Sequence, residues 1–511
     1  MPARVRDVRT LIVTGDPLTV RDVIDVARGS ARAELGPDVP ARMATSCATV
    51  QAAVERGDVV YGVTTGFGAL ADTFVSGDNL RAMQLALLRS HAAGVGAPLP
   101  PETVRALLLL RARTLCAGVS GVRPALPARL LELLELGLLP DVPEKGSVGA
   151  SGDLAQLAHL ALPLVGEGRL NGAPAAEVLS DHGLAPLTLE PKEGLSLLNG
   201  TEPMQALLAF SVHDAELLVR AADLSCAMSV EALLGTDRPY DERVQALRAH
   251  PGQAASAANL RALLADSPLL ASHRDSHHAV QDSYSLRCAP QVHGAVRDVL
   301  AHARGVIERE LGAVVDNPVI IDGDVLTTGN FHGEPLAFAA DALAMALAEI
   351  ASISERRVDR MLDPAFSRGL PPFLAPDAGT NSGYMLAQYT AAALVAENKV
   401  LAHPASVDTI PTSGNQEDHV SMGWHAVRKL REVVANVRSV VAVELVVAAQ
   451  ALDLRSEIAA PGPATAAAHA LLRAQVPRMD VDREVAPQLA AVDAMLDQLV
   501  AAAESVAGPL R

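Results

Sequence analysis

Gly146-Ser147-Val148-Gly149-Ala150-Ser151-Gly152-Asp153 brings three glycines and several small residues together, and the apolar run Leu154 to Leu162 follows at once. Three chemistries fit such a string. Free N–H groups at the start of a helix could bind an anion, helped by the helix dipole. A serine between glycines could be a nucleophile elbow, but that pattern needs Gly-x-Ser-x-Gly, and Asp153 stands where its last glycine belongs. The third chemistry is internal. The Gly152 nitrogen has no side chain crowding it, so a tight bend could bring it onto the Ala150 carbonyl. Ring closure with loss of water, then loss of the Ser151 hydroxyl, would leave a conjugated exocyclic methylene, a strong electrophile made from the chain itself.

Other strings carry reactive side chains in glycine-interrupted or polar surroundings. Tyr61 opens Tyr-Gly-Val-Thr-Thr-Gly-Phe-Gly, which reads as a loop. A free tyrosine titrates at about 10 and needs stabilising neighbours to serve as a base near neutrality. His91, in Ser90-His91, ends a helical run, where a histidine is usually a cap. Asn199 precedes Gly200 in what is ordinarily a turn, although its amide offers both a donor and an acceptor. Tyr284 and Arg287, in Gln281-Asp282-Ser283-Tyr284-Ser285-Leu286-Arg287, are three apart and would share a helix face. Phe331 is an apolar residue in the polar loop Gly329-Asn330-Phe331-His332-Gly333. Glu417-Asp418-His419 would normally be a solvated helix start.

Taken together, Gly-Ser-Val-Gly-Ala-Ser-Gly-Asp-Leu-Ala and the Tyr61, Gln281–Arg287, Phe331 and Glu417 strings resemble the ammonia-lyases and aminomutases that use a 4-methylideneimidazol-5-one (MIO) group. The resemblance runs in order over roughly residues 50 to 455. It implies that Ala150, Ser151 and Gly152 form the MIO without help, that Tyr61 is the base, and that Tyr284 and Gln281 line the site. Arg287 would hold the substrate carboxylate, Asn199 would contact the MIO or that carboxylate, and Phe331 would pack on the MIO ring. His91 and Glu417 occupy the side-chain pocket. Ser-His at positions 90–91 and a glutamate at 417 are similar to the histidase branch, which implies L-histidine as substrate and trans-urocanate and ammonia as products. Gly414 departs from that branch, where alanine is common. An aminomutase, or a lyase for another aromatic amino acid, is the nearest alternative. A non-catalytic helical assembly is the alternative from another class.

The elements that must position these groups are mainly helical. Helices are expected over Leu18 to Ala33, Glu102 to Ala117, Leu126 to Leu139, Glu202 to Leu234, Pro290 to Leu311, Pro335 to Leu362, Tyr384 to Ala402, Trp424 to Ala460 and Ala464 to Ala507. Residues 250 to 275, rich in Ala and Ser with weak periodicity, are expected to be a surface excursion. The fold implied by the resemblance is mainly α: a long-helix bundle of the ammonia-lyase/fumarase-like type with a smaller mixed N-terminal region holding the MIO loop. The division falls into residues 1–200 and 201–511. A homotetramer is implied, in which the Tyr61 loop and the Tyr284 segment serve a neighbour's site.

Composition bounds the rest. The 511 residues carry 42 Lys plus Arg against 59 Asp plus Glu, a net charge of −17 with no basic patch, which argues against nucleic acid. The four cysteines, at 47, 116, 226 and 288, are scattered, which argues against a disulfide framework or zinc ribbon and for a reducing cytoplasm. The most apolar runs, Leu336 to Ala348 and Ser439 to Leu452, carry Asp341 and Glu444, so no membrane span is expected. His273, His277 and His278 lack a partner at recognisable zinc spacing. No metal and no diffusible cofactor is expected; the partner is a small amino acid.

Overall fold

The structure, a computed structural model, describes residues 9–276 and 278–511; His277 lies outside the described residues. The chain is mostly helical, as expected. It forms two compact units, neither a continuous stretch such as 1–200 or 201–511. The first comprises Met1–Phe210, Arg304–Ala340 and Ala405–Arg428; the second comprises Ser211–Ala303, Asp341–Pro404 and Lys429–Arg511. Four helices of 22 to 33 residues, Glu202–Ala232, Ala289–Glu310, Glu334–Leu362 and Gly423–Arg455, carry the chain from one unit to the other.

In the first unit, Arg9–Val13 pairs in parallel with Ala31–Leu35 across the helix Val20–Ala27. The expected helix Leu18 to Ala33 is therefore shorter at both ends. At its start, the Thr19 hydroxyl accepts from the Asp22 N–H at 3.1 Å and the Asp22 carboxylate accepts from the Thr19 N–H at 3.0 Å, a capping box that fixes the first turn at Val20. After Ala27 the alternating burial of Ala31–Leu35 is that of a strand. The helix Pro101–Cys116 is the core of this unit. Leu107 to Leu110 are at most 1% exposed, and the same helix buries Arg111.

The second unit holds a helix apolar all round. Val440 to Val443 and Leu445 to Ala449 are completely buried, as an interior helix requires. Its one carboxylate in that stretch, Glu444, accepts from the Arg357 guanidinium at 2.8 Å and from the Ser225 and Ser229 hydroxyls at 2.8 and 2.7 Å, so the buried charge is fully partnered.

Residues 250 to 275 are not a surface excursion. Pro251–Leu263 is a packed helix whose Leu260 and Leu263 are fully buried. A Cβ on Gly252 would lie 2.1 Å from the Gly294 carbonyl oxygen, so the missing side chain permits backbone-to-backbone contact with the helix Ala289–Glu310. Ser256 and Asn259 donate to the Asp223 carboxylate at 2.6 and 2.8 Å. Small and polar residues make these contacts, so no apolar period marks them. The expected helix Ala464 to Ala507 is also broken, into Pro463–Gln475, Ala486–Ala494 and Leu496–Ala507. Pro477 supplies no N–H there, and the Gln450 amide takes up the Met479 N–H and C=O instead, at 3.0 and 2.9 Å.

Among the described residues, one helix is long and apolar enough to cross a membrane, Glu334–Leu362. Its Leu336, Leu343, Leu347 and Ile350 are fully buried within the protein, and it carries Asp341, Glu355 and Arg357.

Candidate active site

The Ala150-Ser151-Gly152 bend has an unusual backbone. Gly149, Ser151 and Gly152 all have left-handed φ, +71°, +43° and +76°. Consecutive left-handed residues curl the chain back on itself, a conformation unfavourable for serine and accessible to glycine. The bend is clamped from two sides. On one side the Asp153 N–H donates to the Gly200 carbonyl at 2.9 Å, and a Cβ on Gly152 would fall 1.9 Å from that oxygen. On the other, the Met422 N–H donates to the Val148 carbonyl at 2.9 Å and the Ser421 hydroxyl to the Gly149 carbonyl at 3.2 Å. Behind Gly200, buried Arg111 donates to the Asn199 carbonyl at 3.0 Å and to the Glu202 carboxylate at 2.8 Å. This compressed geometry suits an internal cyclisation at Ala150-Ser151-Gly152.

Asp153 sits completely buried beneath the bend. It accepts from the Ser147 hydroxyl at 2.6 Å and the Met204 N–H at 3.0 Å. Burial pushes its carboxyl up to about 7, against the lowering effect of those two hydrogen bonds. The sign of the stability effect follows. An aspartate titrates at about 3.9 in an unfolded chain, so between about pH 4 and pH 7 the folded state binds more protons than the unfolded one. That stabilisation is complete below about pH 4 and is lost as the pH rises to 7. Asp153→Asn is expected to remove this slope. Urea-unfolding midpoints at pH 5 and pH 7.5 check it: the wild type loses more stability than the variant between the two.

A cavity of about 590 Å³ opens over the bend. Tyr61, His91, Ser151, Asn199 and Glu417 all line it, with Leu87, Leu195 and Leu198 supplying apolar wall. The Tyr61 hydroxyl accepts a long bond from the Gly68 N–H at 3.4 Å. His91 Nδ1 lies 3.0 Å from both the Leu87 carbonyl and the Ser90 hydroxyl; the tautomer that donates from Nδ1 to the carbonyl leaves Nε2 of the neutral ring an acceptor lone pair. Burial lowers the His91 pKa, against the raising effects of the Leu87 bond and Glu417, and so favours that neutral ring. Glu417 is held by the Thr412 hydroxyl at 3.0 Å. Ser413 accepts from the Ala69 N–H at 3.2 Å and so joins the Glu417 loop to the Tyr61 loop. Gly414 has φ +61°, and an added Cβ would meet only the Ala69 methyl at 3.5 Å, an ordinary contact, so the loop closes here without the alanine methyl.

A family model for aromatic amino acid lyases matches residues 18–474. The chain belongs to the aromatic amino acid lyase family. It is a lyase by that membership. It is 51% identical to a histidine ammonia-lyase of Streptomyces coelicolor over 98% of this chain and 100% of that one. Among solved structures it is similar to histidine ammonia-lyase from Trypanosoma cruzi, with a TM-score of 0.89 and 40% identity over 98% of this chain and 95% of that chain. It is also similar to tyrosine aminomutase from Streptomyces globisporus, with a TM-score of 0.92 and 37% identity over 98% of this chain and 100% of that chain.

Within this aromatic amino acid lyase fold, the Tyr61 loop lines the same chain's cavity as Ser151. Phe331 is half-buried in the first unit and is not among the cavity-lining residues. Gln281, Tyr284 and Arg287 belong to the second unit and gather there. The Arg287 guanidinium lies 4.7 Å from the centre of the Tyr284 ring and donates to the Gln281 amide oxygen. Tyr284 is 70% exposed. Asn199 Nδ2 donates to the Asn317 carbonyl at 3.2 Å, while its buried Oδ1 has no hydrogen-bond partner. Sequence reasoning missed Asp153, Arg111 and Glu202. An arginine inside Leu-Leu-Leu-Leu-Arg-Ala-Arg is the one visible sign that a buried cation needs an acid elsewhere.

Proposed function

We propose that this lyase eliminates ammonia from L-histidine to give trans-urocanate. The observation that carries the reading is the convergence of Tyr61, His91, Ser151 and Glu417 on one cavity over the clamped bend. The names of the similar proteins from Streptomyces coelicolor and Trypanosoma cruzi support histidine as substrate. Ala150, Ser151 and Gly152 would form the MIO, which supplies an electrophile that turns the substrate amine into a better leaving group. The left-handed bend, closed by Gly200 on one side and Ser421 and Met422 on the other, supports that assignment.

The chain's own residues do the remaining work. Tyr61 takes the β-proton of the substrate. His91 accepts from an imidazole N–H through Nε2, and Glu417 orients the same ring. Asn199 contacts the MIO or the substrate carboxylate, a role its place in the cavity lining supports. Arg287 binds the carboxylate as a two-pronged donor, with Tyr284 and Gln281 beside it and Phe331 packed on the electrophile. We assign these last four to sites completed in a homotetramer, which the exposure of Tyr284 supports. The protein is assigned to the cytoplasm.

Product analysis tests the reaction. Urocanate and free ammonia from L-histidine support elimination. A β-amino acid would instead place the chain with aminomutases, the reading favoured by its likeness to tyrosine aminomutase. The pocket assignment makes a second prediction. Glu417→Gln is expected to lower kcat/KM for histidine about 10- to 150-fold, since a hydrogen bond to a charged group contributes about 1.5–3 kcal/mol. Steady-state kinetics with histidine and phenylalanine check it: only the histidine value falls.

A further inference from the structure

We propose that His332, Glu334 and His419 hold a divalent cation of the zinc type, a site separate from the cavity over the bend. Their ligand atoms all lie within 4.8 Å of one another, and none of the three lines that cavity. Two imidazoles and one carboxylate, with a fourth position open to water, form a zinc donor set; magnesium and calcium favour all-oxygen sites.

Three observations point to a ligand. His332 Nε2 lies 3.2 Å from the His419 main-chain carbonyl. A carbonyl only accepts, so Nε2 carries the proton and Nδ1 keeps its lone pair. This is how metal-binding histidines are commonly oriented from behind. Second, that Nδ1 faces Glu334 Oε2 at 3.9 Å, and its one donor is the Glu334 N–H at a long 3.4 Å. Third, Glu334 Oε2 is buried and has no hydrogen-bond partner. A buried, unpartnered carboxylate oxygen is costly, and a cation between it and Nδ1 would satisfy both.

The His419 ring stands 5.9 Å from that of His332, tilted by 30°. His419 is exposed, which gives an ion a path inward and leaves the ring free to turn. Tetrahedral zinc bonds of about 2.0–2.1 Å would draw the donors to roughly 3.3 Å apart, a closure that needs the exposed His419 ring to turn and the Glu334 carboxylate to approach His332 Nδ1 from 3.9 Å. Once bound, the ion would join the 329–334 segment, which carries Phe331, to the 417–421 segment, which carries Glu417. The inference does not depend on which substrate the lyase uses.

The test uses the full chain, stripped with a chelator and exchanged into buffer free of chelator and of histidine, which itself binds zinc. Calorimetric titration with zinc chloride is expected to show one ion per chain bound at micromolar affinity or tighter, with a rise in thermal midpoint that saturates at one equivalent. His419→Ala, at an exposed position, and Glu334→Gln should each weaken binding by about 100-fold or more. His182→Ala, at an exposed histidine elsewhere, should leave it unchanged. No zinc uptake by the wild type, or uptake that His419→Ala and Glu334→Gln leave intact, overturns the site.

Discussion

Ser151→Ala is expected to abolish turnover and to leave the chain about 20 Da heavier than the mature wild type, since two waters (about 36 Da) are retained and the substitution itself removes one oxygen (about 16 Da). Cyclisation at Ala150-Ser151-Gly152 needs the Gly152 nitrogen to attack the Ala150 carbonyl, which releases one water. The second water is the Ser151 hydroxyl with a proton from the adjacent carbon. Alanine has no hydroxyl to lose, so no exocyclic methylene forms and the electrophile is absent. The fold should survive. Ser151 makes its left-handed turn at φ +43°, alanine pays a similar steric penalty there, and the clamps come from main-chain atoms and Ser421. We expect a fall of at least about four orders of magnitude in kcat, or roughly 5.5 kcal/mol of lost barrier reduction. Intact mass and sequencing of the peptide over residues 146 to 160 report the modification, circular dichroism the fold, and urocanate absorbance the turnover. A wild-type chain of unmodified mass, or an alanine variant retaining more than about 1% of activity, would sink the electrophile.

Tyr61→Phe is expected to cost about a thousandfold in kcat while the two-water deficit persists, which separates loss of the base from loss of the electrophile. General-base catalysis contributes typically about 10²–10⁴-fold. Phenylalanine keeps the ring that lines the cavity and removes the hydroxyl alone. Burial raises the Tyr61 pKa; the Gly68 N–H lowers it and the Glu417 carboxylate raises it, for a net upward shift. The reactive form is the phenolate, whose share grows with pH below a raised pKa. The wild-type kcat/KM should therefore climb on the alkaline side, by at most tenfold per pH unit, and Tyr61→Phe should flatten that limb. A pH–rate profile of both proteins decides the point. An unchanged slope in the variant would assign the base to another group.

The sequence by itself determined the reactive residue types and the helical character of the chain. Ala150-Ser151-Gly152, Tyr61, His91, Asn199 and Glu417 were visible through strings that resemble those of the ammonia-lyases and aminomutases. The long helices were visible because apolar residues recur along one face at a helical period. Tertiary structure alone decided that residues 61, 91, 151, 199 and 417 meet around one cavity, since contacts across hundreds of residues leave no local pattern. It also decided that Pro251–Leu263 packs inward, because Gly252 and Gly294 touch through missing side chains that carry no hydrophobic signal. Asp153 shows the limit most plainly. In the sequence it is the residue that spoils a nucleophile elbow. In the structure it is a buried carboxyl pushed up to about 7, because a pKa is set by desolvation and by partners such as Ser147 and Met204, which only the folded chain brings to it.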